Sequence, residues 1–196
     1  MSHSRFILAS RSPRRVELLN EAGFVFEAVP ADIDEEHYPD TITPIEVAEF
    51  LARSKAEAVA QLYPNHIVLG ADTIVAHGDA VLGKPEDSEH ARWMLGQLAG
   101  SEHIVASAVC LMHKHSDRVK ISHSVSTVSM RPLSQAEIDL YVASGDWRGK
   151  AGGYGIQDRD PFVTNMGGSL TNIVGLPMEL TVPMLAAFGI HPGNSI

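Results

Sequence analysis

The tightest constraint on how this chain folds lies near its start, where the apolar run Ile7-Leu8-Ala9 passes through Ser10-Arg11 into Ser12-Pro13-Arg14-Arg15. A short buried strand over Phe6–Ala9 must hand over to a helix almost at once. Ser12 carries the side-chain oxygen favoured at an N-cap, and Pro13 suits the first helical position, where a missing N–H removes no bond. The free amides of the first turn then point outward beside Ser10, Arg14 and Arg15. Backbone donors, the positive end of the helix dipole and guanidinium forks together describe a phosphate or carboxylate site. The same pattern also fits a capped helix whose arginines face water.

With 196 residues, 44% of them hydrophobic, the chain is long enough for one well-buried core, and a single domain over residues 1–196 is expected. A formal net charge of −9 argues against a general nucleic-acid or membrane-surface binder, because those collect phosphates with a broad positive field. An anionic substrate would need locally concentrated positive charge and is helped by a divalent cation. Cys110 is the single cysteine, so no intrachain disulfide can form and a reducing cytoplasm is the expected setting. Its apolar neighbours mark it as core packing. The N-terminus lacks a signal-peptide pattern and no apolar run approaches the ~20 residues of a membrane span, so a soluble protein is expected.

The helix opened by Ser12 runs to about Asn20 or Ala22, with Gly23 placed to end it, and Phe24–Val29 reads as a second strand. Residues 30–39 form a loop dense in carboxylates, Asp32, Asp34, Glu35 and Glu36; it is either a solvated acidic loop or one that sends a carboxylate to a metal or a substrate-bound water. Thr43-Pro44-Ile45-Glu46 is a capping box with proline at the first helical position, opening an amphipathic helix to about Leu62. Lys55 falls near its apolar side, where a lysine snorkels to solvent or reaches a phosphate. Ile67-Val68-Leu69-Gly70-Ala71-Asp72-Thr73 reads as an apolar strand ending in a carboxylate. Ligands of open α/β sheets lie beyond strand ends, so Asp72 stands where chemistry happens in that architecture, though an Asp there can equally cap a turn.

A small hairpin, Ile74–Ala76 with Ala80–Leu82, leads to Lys84, which lacks the glycine spacing of a P-loop lysine. Next come a helix over Glu89–Leu98, a long antiparallel hairpin over Ile104–Met112 and Val119–Met130, and a capping-box helix from Ser134 to Gly145. Residues 150–157 form a glycine-rich loop, Phe162–Val163 and Ser169–Val174 read as strands, and Pro177–Phe188 as a final helix. The ten histidines, His113 and His115 among them, show no zinc-site spacing and read as surface residues. Serine-hydrolase, CxxC and dinucleotide fingerprints are also absent from the sequence. An anion-binding helix start, an acidic loop, scattered lysines and a strand-end aspartate suit metal-assisted hydrolysis of a phosphate compound.

With those residues in view, the chain resembles the Maf family of nucleoside triphosphate pyrophosphatases over nearly its whole length. ILASRSPRR, DIDEE, GADTIV, LGKPED, KAGGYGIQ and VGLP occur in order. The resemblance implies an α/β fold with a central mixed, elongated sheet flanked by helices, similar to the inosine triphosphate pyrophosphatases. It implies hydrolysis between the α and β phosphates to a nucleoside monophosphate and pyrophosphate, with Mg²⁺ or Mn²⁺, and commonly a homodimer. Carried across by motif, Ser10, Arg14 and Arg15 hold the triphosphate with help from Lys55 and Lys84. Asp72 matches the general base, and Glu35 its acidic-loop partner for metal or water, so Glu35 and Asp72 are also the implied metal ligands.

KAGGYGIQ resembles the branch acting on dTTP and UTP. Thymine and uracil present an N3–H between two carbonyls, an edge that the Gln157 amide can match with one acceptor and one donor; a flipped amide also suits cytosine. Arg14 and Thr73 are the other positions the resemblance ties to substrate choice. Two departures bear on selectivity: Asp158-Arg159-Asp160-Pro161 replaces the usual glycine after Gln157, and Leu170 stands where an aromatic residue is common. The expectation is a cytoplasmic pyrophosphatase of pyrimidine nucleoside triphosphates, modified ones included. Its rivals are a broader or purine-directed pyrophosphatase and a non-catalytic nucleotide-binding regulator of cell division.

Overall fold

The third strand, β3 (Val68–His77), is the axis of the molecule and sets the position of the cleft. The structure is a computed structural model that describes residues 6–156 and 162–193. Around β3 lie β1 (Phe6–Leu8), β2 (Phe26–Ala28), β4 (Ala80–Leu82), β5 (Glu102–His113), β6 (Arg118–Met130) and β7 (Val163–Gly167). Among the described residues these seven strands form one mixed sheet in the order β2-β1-β3-β5-β6-β7, with β4 added beside β3. The α/β architecture expected from the sequence is therefore present. Its helices are α1 (Pro13–Glu21), α2 (Pro44–Leu62), α3 (Ser88–Leu98), α4 (Gln135–Ser144), α5 (Leu170–Val174) and α6 (Met178–Ala187).

The side-chain alternation of β3 and β5 divides the core. Val68, Ile74, Ala76, Ala106, Ala108, Cys110 and Met112 face α2. On the opposite face Leu69, Ala71, Val109 and Leu111 pack with Leu19 of α1 and with Met184 and Leu185 of α6. Further along that face Val75 and Val105 pack with Ala91, Met94, Leu95 and Leu98 of α3. Each fully buried aliphatic side chain of this kind contributes ~1.5–3 kcal/mol. Between those two clusters the pattern breaks at Thr73 and Ser107, which stand opposite each other in the β3–β5 ladder. Cys110 is fully buried, and burial pushes its thiol up to about 12, in keeping with a packing role.

Both capping boxes form: Glu46 N–H donates to Thr43 Oγ1 at 3.4 Å while Thr43 N–H donates to the Glu46 carboxylate at 2.7 Å, and Ser134 and Glu137 repeat the arrangement. The β5–β6 hairpin is also as expected, closed by a 3-10 turn at Lys114–Ser116 and a left-handed Asp117.

Three readings need correction. The strand does not end at Asp72: β3 runs on to His77, because β5 pairs with it from Val68 to Ala76, Asp72 opposite Ala108 and Thr73 opposite Ser107, and β4 pairs with His77. Residues 169–174 are not a strand but helix α5, capped by Ser169, whose Oγ accepts from Asn172 N–H at 3.2 Å. Ser12 occupies the N-cap with Pro13 behind it, yet its side chain makes no cap bond. Its N–H instead donates to Ser10 Oγ at 3.2 Å.

β1 pairs with β3 only at Val68 and Leu69, and β4 takes up the same edge only from Val75. Residues 70–74 thus have no strand beside them on that side, and the chain leaving β1 at Ala9 turns away into α1. β2 and β3 flank β1 as parallel neighbours on opposite sides, which makes the end of β1 a topological switch point. The resulting gap opens both faces of the sheet to one cleft.

Candidate active site

The cleft has a volume of about 880 Å³ and is walled by the Ser10–Arg15 junction, the acidic loop, residues 72–75 of β3, Lys84, the 148–156 loop and the end of α5 with Gly175. Asp72 and Thr73 enter it from adjacent positions on β3, one toward each face.

On the α2 side, Lys55 Nζ donates to Asp72 Oδ1 at 2.5 Å and lies 2.9 Å from Glu35 Oε1. Lys84 Nζ holds the other Glu35 oxygen at 2.7 Å. The reach from helix to strand depends on Gly70: a Cβ there would fall 2.3 Å from the Ala52 carbonyl and 2.6 Å from the Ala56 nitrogen, so only glycine lets α2 lie this close to β3. Lys55 and Asp72 are both buried, whereas Glu35 and Lys84 reach the open side. Partial burial would raise the Glu35 carboxyl, but hydrogen bonds from Lys84 and Lys55 outweigh it and hold the group at about 2.

On the other side, buried Arg15 donates Nε to the Gly175 carbonyl at 2.9 Å, Nη1 to Ser10 Oγ at 3.2 Å and Nη2 to Thr73 Oγ1 at 3.1 Å. Thr73 Oγ1 lies 2.8 Å from Ser107 Oγ and donates to the Gly175 carbonyl at 3.2 Å. Behind them fully buried Asn172 accepts from Ser107 N–H at 3.1 Å and donates to the Val105 carbonyl at 2.9 Å and Ser126 Oγ at 2.8 Å. Burial lowers the Arg15 guanidinium from its ordinary range, and the charges of Asp72 and Glu35 pull it back up. A guanidinium stays charged in such a setting. Arg14 lines the same cleft, and its buried Nε has no partner among the described residues, which leaves a donor for a ligand.

The structure thus brings together Ser10, Arg14, Arg15, Glu35, Lys55, Asp72, Thr73 and Lys84. Gln157 lies outside the described residues, as does Asp158, and Leu170 is exposed at the start of α5. Sequence reasoning missed Ser107, Asn172 and Gly175, which hold Arg15 and Thr73, and it missed Arg148 and Tyr154 in the cleft wall. A serine amid the apolar Val105–Val109 run of β5 was the available signal for the first group.

A divalent cation would have to share this ground with Lys55. Among the described residues no cluster of three or more His, Cys, Asp or Glu forms a metal cage. Glu35 and Asp72 nevertheless converge on one point, and two carboxylates completed by substrate phosphates are a donor set that Mg²⁺ accepts. The pair fits an ion that arrives with its substrate.

A family model described as Maf-like protein matches residues 5–188. The chain belongs to the Maf family. A dTTP/UTP pyrophosphatase of Symbiobacterium thermophilum is 45% identical over 186 residues, covering 94% of each chain. One from Salinibacter ruber is 47% identical over 175 residues, 88% of this chain and 85% of the other. One from Rhodospirillum rubrum is 45% identical over 195 residues, 98% and 92% of the two. Among solved structures, a nucleoside-triphosphatase described as a dITP/XTP pyrophosphatase from Mycobacterium abscessus superposes with a TM-score of 0.50 at 18% identity, covering 94% of this chain and 98% of that one. At that identity the likeness speaks to the fold alone, which this Maf protein shares.

Proposed function

We propose that this Maf protein hydrolyses pyrimidine nucleoside triphosphates, dTTP and UTP and their modified analogues, to the monophosphate and pyrophosphate. The observation that carries the reading is the chain of contacts from Asp72 through Lys55 and Glu35 to Lys84, within a cleft that also takes in the arginine-bearing start of α1. The dTTP/UTP pyrophosphatases among its relatives support the substrate class.

The geometry supports the following division of roles. Amides of the first turn of α1, with Arg14 and the remaining donors of Arg15, bind the phosphate oxygens; Ser10 fixes the Arg15 fork. Lys55 occupies one Asp72 oxygen, leaving Oδ2 to orient a water for attack on a phosphorus and to take its proton. Lys84 neutralises charge that develops on the departing pyrophosphate, and Glu35 holds Lys84 and Lys55 in place until substrate arrives. Glu35 and Asp72 would hold Mg²⁺ or Mn²⁺, which when bound would supply Lewis-acid polarisation of the phosphoryl oxygens. The apolar end of the cleft, with Val75, Val105, Ile156 and Ile173, suits the flat face of a base, and Gln157 is the residue proposed to read its edge.

Chromatographic product analysis over a panel of pyrimidine and purine triphosphates, with Mg²⁺, Mn²⁺ or a chelator, tests the reading. Monophosphate and pyrophosphate from dTTP and UTP, lost on chelation, are expected. Binding without product would instead favour a nucleotide-binding regulator. A homodimer and a cytoplasmic location belong to the same proposal. Residues 119–125 of β6, which have no strand beside them on the outer edge among the described residues, offer a surface for a second copy. Among the described residues, no helix is long and apolar enough to cross a membrane.

A further inference from the structure

Three successive same-face positions on β5 each meet a different part of the cleft. Ser107 joins the Thr73 and Asn172 network, Val105 forms apolar wall, and His103 meets the 148–156 loop. His103 has no part in the hydrolytic scheme, yet it is almost wholly buried, and its Nε2 lies 2.6 Å from the hydroxyl of Tyr154, itself nearly buried. The two rings meet edge to face with centroids 5.4 Å apart. Burial, and secondarily the charge of His77, pushes the imidazole down to about 4, so it is neutral at neutral pH. Among the described residues His103 Nδ1 is buried without a partner, and the Tyr154 hydroxyl is the hydrogen-bond contact that the ring makes there. A surface-seeking residue has been placed in the core for one bond.

That bond joins the loop to β5, and backbone contacts hold it as well. Gly152 N–H donates to the Gly83 carbonyl at 3.0 Å, next to Lys84, and a Cβ on Gly152 would press within 3.2 Å of Val75 and 3.3 Å of Leu98. Gly152 is thus clamped against the core, and the next anchored side chain is Tyr154. Tyr154, Gly155 and Ile156 then line the apolar end of the cleft, immediately before Gln157.

We propose that His103 is a positioning residue for base recognition: through the Tyr154 hydroxyl it sets residues 154–156 at the distance from Val75 and Val105 that a pyrimidine ring requires. The inference rests on the proposed function. Pre-organisation of this kind lowers the cost of ordering the loop on binding, so it governs affinity and leaves the proton transfer at Asp72 untouched.

The test compares Tyr154→Phe, His103→Leu, His103→Gln and the Tyr154→Phe/His103→Leu double variant. The readouts are kcat and KM with dTTP and UTP, the Kd of a non-hydrolysable UTP analogue, and Tm. Tyr154→Phe and His103→Leu should each raise KM and Kd by roughly tenfold with kcat within about threefold, which is the size of one hydrogen bond. The double variant should be no worse than either single one, and His103→Gln, which places an amide near the lost Nε2, should recover most of the affinity. Tyr154→Phe keeps its ring and is the variant of choice if His103→Leu does not fold. Unchanged Kd with a lowered Tm would overturn the proposal, as would effects that multiply in the double variant. Analogue binding by a wild-type protein that releases no pyrophosphate would refute the hydrolytic reading while Kd still judged the His103–Tyr154 pair; failure to bind the analogue at all would overturn both.

Discussion

Asp72 and Thr73 are neighbours on one strand and open onto one cleft, yet they belong to two different kinds of site. Asp72 sits in an ionic cluster assembled from a helix, a loop and a hairpin exit, in which Glu35 and Lys84 remain partly exposed. Thr73 sits in a largely buried network in which Arg15 donates to neutral groups, the Gly175 carbonyl and the Ser10 and Thr73 hydroxyls, with Ser107 and Asn172 behind them. Exposed ion pairs are individually weak, so the Glu35–Lys84 contact can be exchanged for phosphate contacts at small cost, while the buried Lys55–Asp72 pair stays in place behind it. Buried satisfied networks are rigid and costly to break. The first half is therefore suited to change partners during a reaction, and the second to stay fixed and present one guanidinium at a constant place.

The largest effect should come from the ionic half. Asp72→Asn should cut pyrophosphate release by roughly a thousandfold, within the 10²–10⁴ range for loss of a general base. Lys55 keeps an oxygen acceptor in the amide and a counter-charge in Glu35, so Tm should move little. Turnover within threefold of wild type would remove Asp72 as the base. Asn172→Ala should show the reverse pattern. It strands the Val105 carbonyl and the Ser107 N–H in the core, costing about 3 kcal/mol by denaturant unfolding at ~1–3 kcal/mol for each unsatisfied group. An Asn172→Ala protein as stable as wild type would mean that the neutral half is not the scaffold it is taken to be.

How legible this division was in the sequence depended on distance along the chain. Local signals sufficed for both capping boxes, for the β5–β6 hairpin and for the strand-to-helix junction at Ser10–Arg15, since each is specified by residues a few positions apart. Lys55 and Asp72 could be named through the family likeness, but that the two touch follows from α2 packing on Gly70, a tertiary fact. The reading of Asp72 as a strand end failed because a polar pair inside β3 looks like a terminus until its β5 partners, Ala108 and Ser107, are in place. Residues 169–174 read as strand from Ile173, Val174 and Thr171, and became helix because the Ser169 cap and the Asn172 bonds outweigh that propensity. His103 was one of ten histidines, and only burial sets it apart.

A smaller effect separates the halves by pH. Glu35 titrates at about 2 in the folded protein against an ordinary 4.5, so the folded state binds fewer protons there than the unfolded chain. Its contribution to stability is full above about pH 4.5 and is lost as the pH falls toward 2. Glu35→Gln should remove that component of the acid limb, measured as Tm against pH between about 5 and 2, and should slow turnover by roughly tenfold at neutral pH through loss of its charge-assisted contacts to Lys55 and Lys84. An acid limb identical to wild type would show that the Lys84 and Lys55 contacts are not held in solution.

The smallest expected effect falls on Thr73 and bears directly on what it is for. A residue that read the base would alter the ranking of nucleotides when changed. The Thr73 hydroxyl instead meets Arg15, Ser107 and the Gly175 carbonyl, so its place is in holding the guanidinium. Phosphates are common to every triphosphate, and displacement of Arg15 penalises all of them alike. Thr73→Val, nearly isosteric and without the hydroxyl, should therefore cost about 1 kcal/mol of stability and raise KM several-fold for dTTP, UTP and CTP together, leaving their ratios unchanged. A change in those ratios with Tm unaffected would transfer Thr73 from the fixed half of the cleft to the half that selects substrate.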